Sequence, residues 1–318
     1  GLSSARLSIV HVVESLDIGG LEHMVVALSA AQIQAGHLVR IVCLWFEGPL
    51  AARAREAGVT VTCCDKQLGL DARAAWKLRG HIKDARPDVL HTHNAMSHYY
   101  AVAATAGLGI RVVLSTRHGY GKRNLQVREE RFYKQAMRWT DYGVSVSRSL
   151  RDYFVAGGQI PDAKAHVVAN GIDVTRFTAR SDERAMALRI ELGLPHDAVT
   201  FATVGRLNEV KRQVDLLRAM RVRLDAGDQA CLLIVGDGPM REELESECTR
   251  LNLAPHMRML GARSDVPALL AAMDVFVLCS RSEGYSLALV EASTSALPII
   301  ATDVPGCHQV DRKSTRLN

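Results

Sequence analysis

Short runs of apolar, strand-forming residues alternate with helical patterns along the whole chain. Parallel strands that are buried on both faces give such continuous apolar runs, and each must reach the next through a crossover connection, usually a helix. The alternation therefore predicts an α/β fold whose parallel sheets are covered by helices on both faces. A chain of 318 residues is long enough for two such domains, at roughly 150 residues each.

The strand pattern starts again near Thr200, which divides the chain into two halves of similar design. In the first half the predicted strands are Ser8–Val13, Leu38–Leu44, Val59–Cys63, Val89–His93, Val112–Thr116, Tyr142–Val146 and His166–Val168. In the second half they are Val199–Gly205, Cys231–Gly236, Met257–Leu260, Val275–Cys279 and Ile299–Thr302. Predicted helices include Leu21–Ala35, Ala72–Ala85 and Val127–Trp139, and others that start at Lys211, Pro239, Asp265 and Ser286. A turn signal at 169–173 separates the halves, so we predict one domain over 1–175 and another over 176–310, with a ligand cleft between them.

The final segment, 311–318, turns abruptly into a charged tail. It resembles the peptide encoded by one reading frame of a common DNA-sequencing adapter, so we expect it to be non-native and the natural sequence to continue differently. An exposed basic tail is the alternative interpretation.

Composition excludes several classes of protein. Apolar residues make up 48% and charged residues 23% of the chain, which is ordinary globular usage and argues against disorder. The net charge of +5 is mild; it favours anionic ligands weakly and gives little support to nucleic acid as a partner. No apolar run is long enough to cross a bilayer and no secretion signal is present, so we predict a cytoplasmic location. The seven cysteines form no metal-binding or disulfide pattern and are expected to be reduced thiols.

The most informative segment runs from 282 to 291 and has a carboxylate near each end, Glu283 and Glu291. Ser286 is the predicted N-cap of a helix, whose first backbone N–H groups would favour a phosphate. Glu291 lies five residues further, about 7.5 Å along the helix axis. This spacing suits an elongated ligand with an anionic middle, such as a diphosphate flanked by two sugars. The alternative is a loop glutamate and a solvated helix glutamate.

Two cations follow the first strand of the second half. Gly205 and Arg206 end that strand, and Lys211 lies five residues beyond Arg206. A glycine admits close backbone approach, and an arginine with a lysine can clamp a diphosphate at the carboxyl end of a strand. Plain surface charge is the alternative.

Glycines also follow one strand in each half. Gly19 and Gly20 would allow close backbone approach to a ligand, and Gly236 and Gly238 follow a strand in the second half. Neither pair is continued by the third glycine of a dinucleotide-binding fingerprint, so a nicotinamide cofactor is poorly supported.

Histidines cluster in the first half. His91, His93 and His98 lack a carboxylate or thiol that would complete a ligand set, so we predict no metal site. His118 follows a strand and is expected at the rim of the cleft, where it could bind a sugar hydroxyl.

Cations and aromatic residues share one helical stretch near residue 130. The cations are Lys122, Arg123, Arg128, Arg131, Lys134 and Arg138. Two interpretations stay open for this stretch: a solvated helix face over the core, or a peripheral contact with an anionic membrane at its inner face.

Taken together, these motifs occur in the order and spacing of the retaining GT-B glycosyltransferases of family 4, which the chain resembles over residues 8–310. The motifs are Gly19-Gly20, His118-Gly119, Asn170-Gly171-Ile172-Asp173, Gly205-Arg206 with Lys211, Gly236-Asp237-Gly238-Pro239 and Glu283 with Glu291. The resemblance implies two Rossmann-like domains that face each other, the first on the acceptor side and the second binding a nucleotide-sugar. Since the closing strand and helices of that family are missing here, it also implies an incomplete second domain.

The resemblance further implies the role of each site residue. Arg206 and Lys211 would hold the donor diphosphate, Glu283 the transferred sugar and Glu291 the ribose. Backbone around Gly284, Tyr285, Ser286 and Leu287 would help to bind the phosphate, together with Gly205 and, from the other domain, Gly19 and Gly20. His118 would contact the donor sugar near the reacting carbon.

The implied reaction moves a hexose-type sugar from a nucleoside diphosphate to a hydroxyl of a glycan or lipid-linked acceptor, with retained configuration and with no metal or other cofactor. Three alternatives remain: a sugar-nucleotide epimerase or hydrolase, a non-catalytic nucleotide-sugar-binding protein, and a disfavoured NAD-dependent oxidoreductase. The sequence does not indicate the base, the sugar or the acceptor.

Overall fold

The computed structural model of the chain describes residues 6–121, 127–178 and 182–314. It divides into two compact units, 1–170 and 171–318, whereas the sequence placed the domain boundary near residue 175. Each unit contains one parallel β-sheet with helices, and the predicted α/β class is confirmed.

The strands of the first unit are β1 (Ser8–Ser15), β2 (Leu38–Phe46), β3 (Thr60–Cys63), β4 (Val89–His93), β5 (Val112–Arg117), β6 (Tyr142–Ser145) and β7 (Ala165–Val167). Its helices are α1 (Gly20–Gln34), α2 (Leu50–Glu56), α3 (Ala72–Ala85), α4 (Asn94–Thr105), α5 (Val127–Ala136) and α6 (Arg148–Ala156). Within the described ranges the sheet order is β3-β2-β1-β4-β5-β6-β7. Strand order reverses between β1 and β4, and ligands of open α/β sheets bind at the carboxyl ends of strands at such a point.

The second unit begins with helices α7 (Thr175–Thr178) and α8 (Asp182–Glu191). Its strands are β8 (Val199–Val204), β9 (Ala230–Val235), β10 (Met257–Gly261), β11 (Val275–Leu278) and β12 (Ile299–Ala301). The other helices are α9 (Gln213–Asp225), α10 (Arg241–Arg250), α11 (Val266–Ala271), α12 (Leu287–Thr294) and α13 (Pro305–Ser314). The described strands are ordered β10-β9-β8-β11-β12, so this sheet reverses between β8 and β11.

Apolar burial on both faces of the sheets holds each unit together. Every residue of β9 is buried, as expected for an internal parallel strand covered on both sides. In the first unit, Val10 and Leu44 pack with Leu78 in one core, and Val13 packs with Val26 in another. Burying side chains of this size contributes roughly 1.5–3 kcal/mol each.

Two helices have boundaries that differ from the sequence prediction, because the chain forms 3₁₀ turns at these ends. The helix predicted from Lys211 begins at Gln213 because residues 209–211 form a 3₁₀ turn and Arg212 adopts a left-handed conformation, φ 51°. The helix predicted over Val127–Trp139 leaves α-helical geometry after Ala136 and closes as a 3₁₀ turn.

All seven cysteines are free thiols in this structure. None of the described helices combines the length and the apolar character needed to cross a lipid bilayer. Residues 311–314 continue α13, while 315–318 lie outside the described residues, so the non-native tail stays a prediction.

Candidate active site

The loops that follow β8 and β11 meet at the point where the second sheet reverses its strand order. The backbone N–H of Arg281 donates to the Val210 carbonyl at 2.8 Å. The Cys279 thiol donates to the Lys211 carbonyl at 3.2 Å. These bonds fix the loop that carries Lys211 beside the loop that carries Glu283.

Lys211 and Glu283 form an ion pair in this position, with Nζ and Oε1 2.6 Å apart. Glu283 is only 8% exposed. The lysine is the last residue of the 3₁₀ turn, and Asn208 is the N-cap of that turn. The Asn208 side chain accepts a bond from the Lys211 backbone N–H at 3.1 Å. Removing either partner would leave an uncompensated charge in a partly dry site, which costs several kcal/mol when the pair is buried. A charge pair at a sheet switch point is a candidate for function.

Arg206, the other predicted cation, lies directly after β8 and its side chain is exposed. Its backbone carbonyl accepts a bond from the Gln213 side chain at 3.2 Å, which ties the β8 loop to the start of α9. Among the ion pairs formed by the described residues, none involves the Arg206 guanidinium. Its bidentate donors are therefore available to an anion.

Glycines in the second unit allow two backbone segments to pack closely against each other. A side chain at Gly236 would place its Cβ 2.0 Å from the Gly205 carbonyl oxygen, and one at Gly238 would lie 2.3 Å from the Leu207 oxygen. Gly205 itself has φ 153°, and a Cβ there would lie 3.7 Å from Lys211 Cε. These glycines let the turns after β8 and β9 pass each other beside the lysine.

The third predicted part, the start of α12, adjoins Glu283 in the chain. Ser286 is the N-cap, as predicted, and its hydroxyl accepts a bond from the Leu289 N–H at 3.4 Å. Gly284 and Tyr285 are buried, and Leu287 begins the helix. The first-turn N–H groups give this end a partial positive charge that favours an anion.

Glu291 lies one turn further along α12 and is partly buried. Burial raises the pKa of its carboxyl to about 7, against a smaller lowering effect of the Arg176 charge. Arg176 belongs to α7, and no local pattern of residues indicates that it lies near this carboxyl. A carboxyl with such a pKa is neutral or charged according to what it binds.

Gly306, in the first turn of α13, packs against the backbone of Glu283. This glycine was not singled out from the sequence. A Cβ on Gly306 would lie 2.3 Å from the Glu283 carbonyl oxygen. The Thr302 hydroxyl, which precedes this turn, donates to the Ser280 carbonyl at 2.6 Å. The sequence feature that could have identified this glycine is the Pro305-Gly306 dipeptide after β12, since such pairs mark tight turns.

In the first unit, Gly19 lies between β1 and α1, and Gly20 is the first residue of α1. Gly19 is the N-cap of α1, in an extended conformation and without a side-chain cap. The His23 ring Nδ1 lies 2.9 Å from the Gly19 carbonyl oxygen. This helix start lies at the carboxyl end of β1, beside the reversal in strand order.

His118 follows β5 and is joined to a row of buried side chains. Its Nε2 lies 3.0 Å from His93 Nδ1, and His93 Nε2 lies 3.0 Å from His11 Nδ1. The Asn94 side chain accepts a bond from the His118 backbone N–H at 3.2 Å. Burial lowers the pKa of His118 to about 3 and that of His11 to about 4. His11 was not singled out from the sequence.

His91 lies beside this row, on β4. One ring nitrogen from each of His11, His91 and His93 falls within 4.8 Å of the others. However, His91 Nε2 lies 2.8 Å from the Thr116 hydroxyl, and His11 and His93 are bonded to each other. Each of the three rings thus forms a hydrogen bond through at least one nitrogen, and the absence of a metal stays a prediction.

The basic stretch near residue 130 forms α5 and the turn after it. Its cations Arg128, Arg131, Lys134 and Arg138 are exposed, whereas Lys122 and Arg123 lie outside the described residues. Tyr133 is fully buried and Trp139 is 68% exposed. The stretch thus covers the core on one side and presents cations on the other.

Comparison with known proteins decides the family. The model of Glycosyltransferase Family 4 matches residues 18–176, and that of Glycosyl transferases group 1 matches residues 186–313. The chain belongs to this family of glycosyltransferases. The family and the GT-B fold that the motifs indicated are therefore confirmed.

Relatives of this glycosyltransferase include two bacterial proteins. The Escherichia coli UDP-Gal:alpha-D-GlcNAc-diphosphoundecaprenol alpha-1,3-galactosyltransferase is 27% identical over 78% of this chain and 66% of its own length. The D-inositol 3-phosphate glycosyltransferase of Salinispora arenicola is 26% identical over 81% of this chain and 62% of its own length. The chain thus spans about two thirds or less of the length of these relatives.

Solved structures share the fold of this glycosyltransferase. Anabaena HepE, crystallised with UDP and glucose, has a TM-score of 0.83 at 20% identity, over 96% of this chain and 83% of its own. WaaG, a glycosyltransferase involved in lipopolysaccharide biosynthesis, has a TM-score of 0.75 at 18% identity, over 96% of this chain and 84% of its own. Both likenesses extend over the two sheets.

Proposed function

We propose that this protein transfers a hexose-type sugar from a nucleoside diphosphate to an acceptor hydroxyl, with the anomeric configuration retained. The observation that carries the proposal is the Lys211–Glu283 ion pair of 2.6 Å at the sheet switch point, next to the Ser286-capped start of α12. Cations, a helix start and a sugar-binding carboxylate are the groups that a nucleotide-sugar requires.

In this proposal each group has a separate task. Arg206 and Lys211 bind the diphosphate and stabilise the charge that develops on it as the glycosidic bond breaks. Glu283 accepts hydrogen bonds from the hydroxyls of the transferred sugar, and Glu291 from those of the ribose. The backbone N–H groups at Ser286 and Leu287 bind phosphate oxygens. In the first unit, His118 contacts the donor sugar near the reacting carbon, and the backbone at Gly19 and Gly20 helps to bind the phosphate.

The proposed acceptor is a glycan or a lipid-linked sugar. The exposed cations of α5 support a peripheral contact with an anionic membrane that carries such a lipid. The Escherichia coli relative is named for transfer to a diphosphoundecaprenol-linked sugar, which supports the same acceptor class. The proposed location is the cytoplasm, at the inner face of the membrane.

The decisive experiment incubates the full chain with a panel of UDP-, GDP- and ADP-sugars and measures released nucleoside diphosphate by mass spectrometry, with and without lipid-linked acceptors. Release that requires an acceptor supports transfer, whereas acceptor-independent consumption supports the epimerase or hydrolase alternative. Binding without any consumption would contradict an enzymatic role. Because fixed cations neutralise the leaving group, turnover is expected to be unchanged by EDTA.

Arg206 provides the matched test of the phosphate assignment. Arg206→Ala is expected to lower kcat about 100-fold or more, because charge stabilisation at a leaving group contributes a few kcal/mol to catalysis. Arg221→Ala is the control, since that arginine pairs with Asp225 on α9 at 2.7 Å and its loss removes the same charge. Near-normal turnover by Arg206→Ala would remove the assignment.

A further inference from the structure

Four side chains of the first unit form a continuous row of hydrogen bonds. Gln32 Oε1, on α1, lies 2.8 Å from His11 Nε2. His11 Nδ1 lies 3.0 Å from His93 Nε2, and His93 Nδ1 lies 3.0 Å from His118 Nε2. Both inner rings are fully buried, at 0% and 1% exposure. We call these four residues the histidine row.

The protonation of the histidine row is coupled from end to end. Burial lowers the pKa of each of the three rings far below 6.5, so all three are neutral at neutral pH. A neutral imidazole has one N–H donor and one lone pair, so the bond made by one nitrogen fixes the role of the other. A single end of the row can therefore set the direction of every bond in it.

Gln32 sets that direction. Its Oε1 can only accept, so His11 Nε2 must carry the hydrogen and His11 Nδ1 the lone pair. His93 Nε2 then donates to His11, which leaves a lone pair on His93 Nδ1. That lone pair accepts from His118 Nε2. His118 Nδ1 is consequently left as an acceptor.

His118 Nδ1 is the end of the row. It is buried, and within the described part of the chain no group forms a hydrogen bond with it. Leaving a buried acceptor unbonded costs about 1–3 kcal/mol. A donor brought by a ligand would recover that free energy, and a sugar hydroxyl is such a donor.

We infer that Gln32, His11 and His93 are positioning residues that hold His118 in the Nε2–H tautomer, so that its Nδ1 accepts a hydrogen bond from a hydroxyl of the bound sugar. This inference rests on the proposed function for the identity of the ligand. It assigns His118 the role of acceptor, not donor, and it gives a function to a glutamine 86 positions away in the sequence.

The test reverses the row from its outer end. Gln32 is partly exposed, so α1 can accommodate a charged side chain there. Gln32→Glu keeps an acceptor and is expected to preserve every tautomer. Gln32→Lys offers only donors, so His11 Nε2 must accept and the reversal passes along the row until His118 carries its hydrogen on Nδ1. Ring nitrogens of the ¹⁵N-histidine-labelled full chain are observed by long-range ¹H–¹⁵N NMR, with His118 assigned from its loss in His118→Gln.

Turnover is the second readout. Gln32→Lys is expected to lower kcat/KM for the nucleotide-sugar about tenfold, the size of effect that follows loss of a hydrogen bond orienting a functional histidine. Gln32→Glu should keep wild-type turnover, and both variants should bind the free nucleoside diphosphate with unchanged Kd. His98→Gln is the control for buried-histidine loss, because His98 is bonded to Thr92 and Thr140 outside the row. It should leave the His118 tautomer unchanged.

The outcomes separate the two proposals. A wild-type protein with the hydrogen of His118 on Nδ1, or a Gln32→Lys variant with an unaltered His118 tautomer, overturns the inference even if sugar transfer is found. Equal turnover of Gln32→Lys and Gln32→Glu, despite reversed tautomers, overturns the acceptor role. If no nucleotide-sugar is consumed by the wild type, the proposed function fails while the NMR result still decides the direction of the row.

Discussion

At the residue scale, the ribose-binding role proposed for Glu291 would couple ligand binding to pH. Its pKa, raised to about 7 by burial, leaves the carboxyl about half protonated at neutral pH. Accepting hydrogen bonds from two ribose hydroxyls favours the carboxylate, so binding should expel the proton. Affinity for a nucleoside-diphosphate sugar is therefore expected to rise with pH between 6 and 7, by up to about tenfold per unit, and to level off above 7.

The Glu291 prediction is checked by calorimetric titration in buffers of different ionisation enthalpy, which counts released protons. A nucleotide-sugar is the suitable ligand because its diphosphate does not titrate in this range. Glu291→Gln should bind more weakly above pH 7 and show no proton release. A wild-type affinity that is constant from pH 6 to 8 would contradict the role given to this carboxyl.

At the scale of the element, the first turn of α13 determines where Glu283 lies. Because a Cβ on Gly306 would come within 2.3 Å of the Glu283 carbonyl oxygen, Gly306→Ala must move this backbone. Displacing a binding group by about 1 Å can reduce turnover about 100-fold. We expect Gly306→Ala to lower kcat/KM for the nucleotide-sugar at least tenfold in steady-state assays. We also expect it to reduce the free energy of unfolding by about 1–3 kcal/mol.

Gly80→Ala is the control for Gly306→Ala. Gly80 lies inside α3, and a Cβ there would meet no atom within 4 Å. That substitution should keep activity and raise stability by about 0.5–1 kcal/mol, since alanine has the higher helix propensity. Gly306→Ala with normal kcat/KM would show that α13 does not position Glu283.

The elements themselves were largely predictable, because apolar strands bounded by turns identify themselves locally. The Ser286 cap also follows from neighbouring residues alone. Lys211 and Glu283 were each singled out, but their contact depends on the adjacency of β8 and β11, which are separated by two strands in the sequence. His11 and His93 meet for the same reason, through the pairing of β1 with β4. Such contacts depend on the order of the strands in the sheet, which no local sequence pattern indicates.

At the scale of the whole molecule, buried histidines are distributed unevenly between the two units. Burial lowers the pKa of five rings, all in the first unit: those of His11, His91, His93, His98 and His118. An unfolded histidine takes up a proton near pH 6.5, whereas these rings take one up only at lower pH, about 3 for His98. As the pH falls below 6.5, the unfolded state therefore binds more protons and the first unit loses stability.

We expect the free energy of unfolding of the first unit to decrease between pH 7.5 and 5.5, by up to about 1.4 kcal/mol per pH unit for each fully shielded histidine. Tryptophan fluorescence during urea unfolding isolates this unit, because Trp45, Trp76 and Trp139 all belong to it. His98→Gln should lower stability at pH 7.5 and make its pH dependence shallower by one proton. A urea midpoint that is equal at pH 7.5 and pH 5.5 would mean that these rings are protonated in the folded chain. Because a ring with two N–H groups only donates, the bond directions assigned to the histidine row would then have no basis.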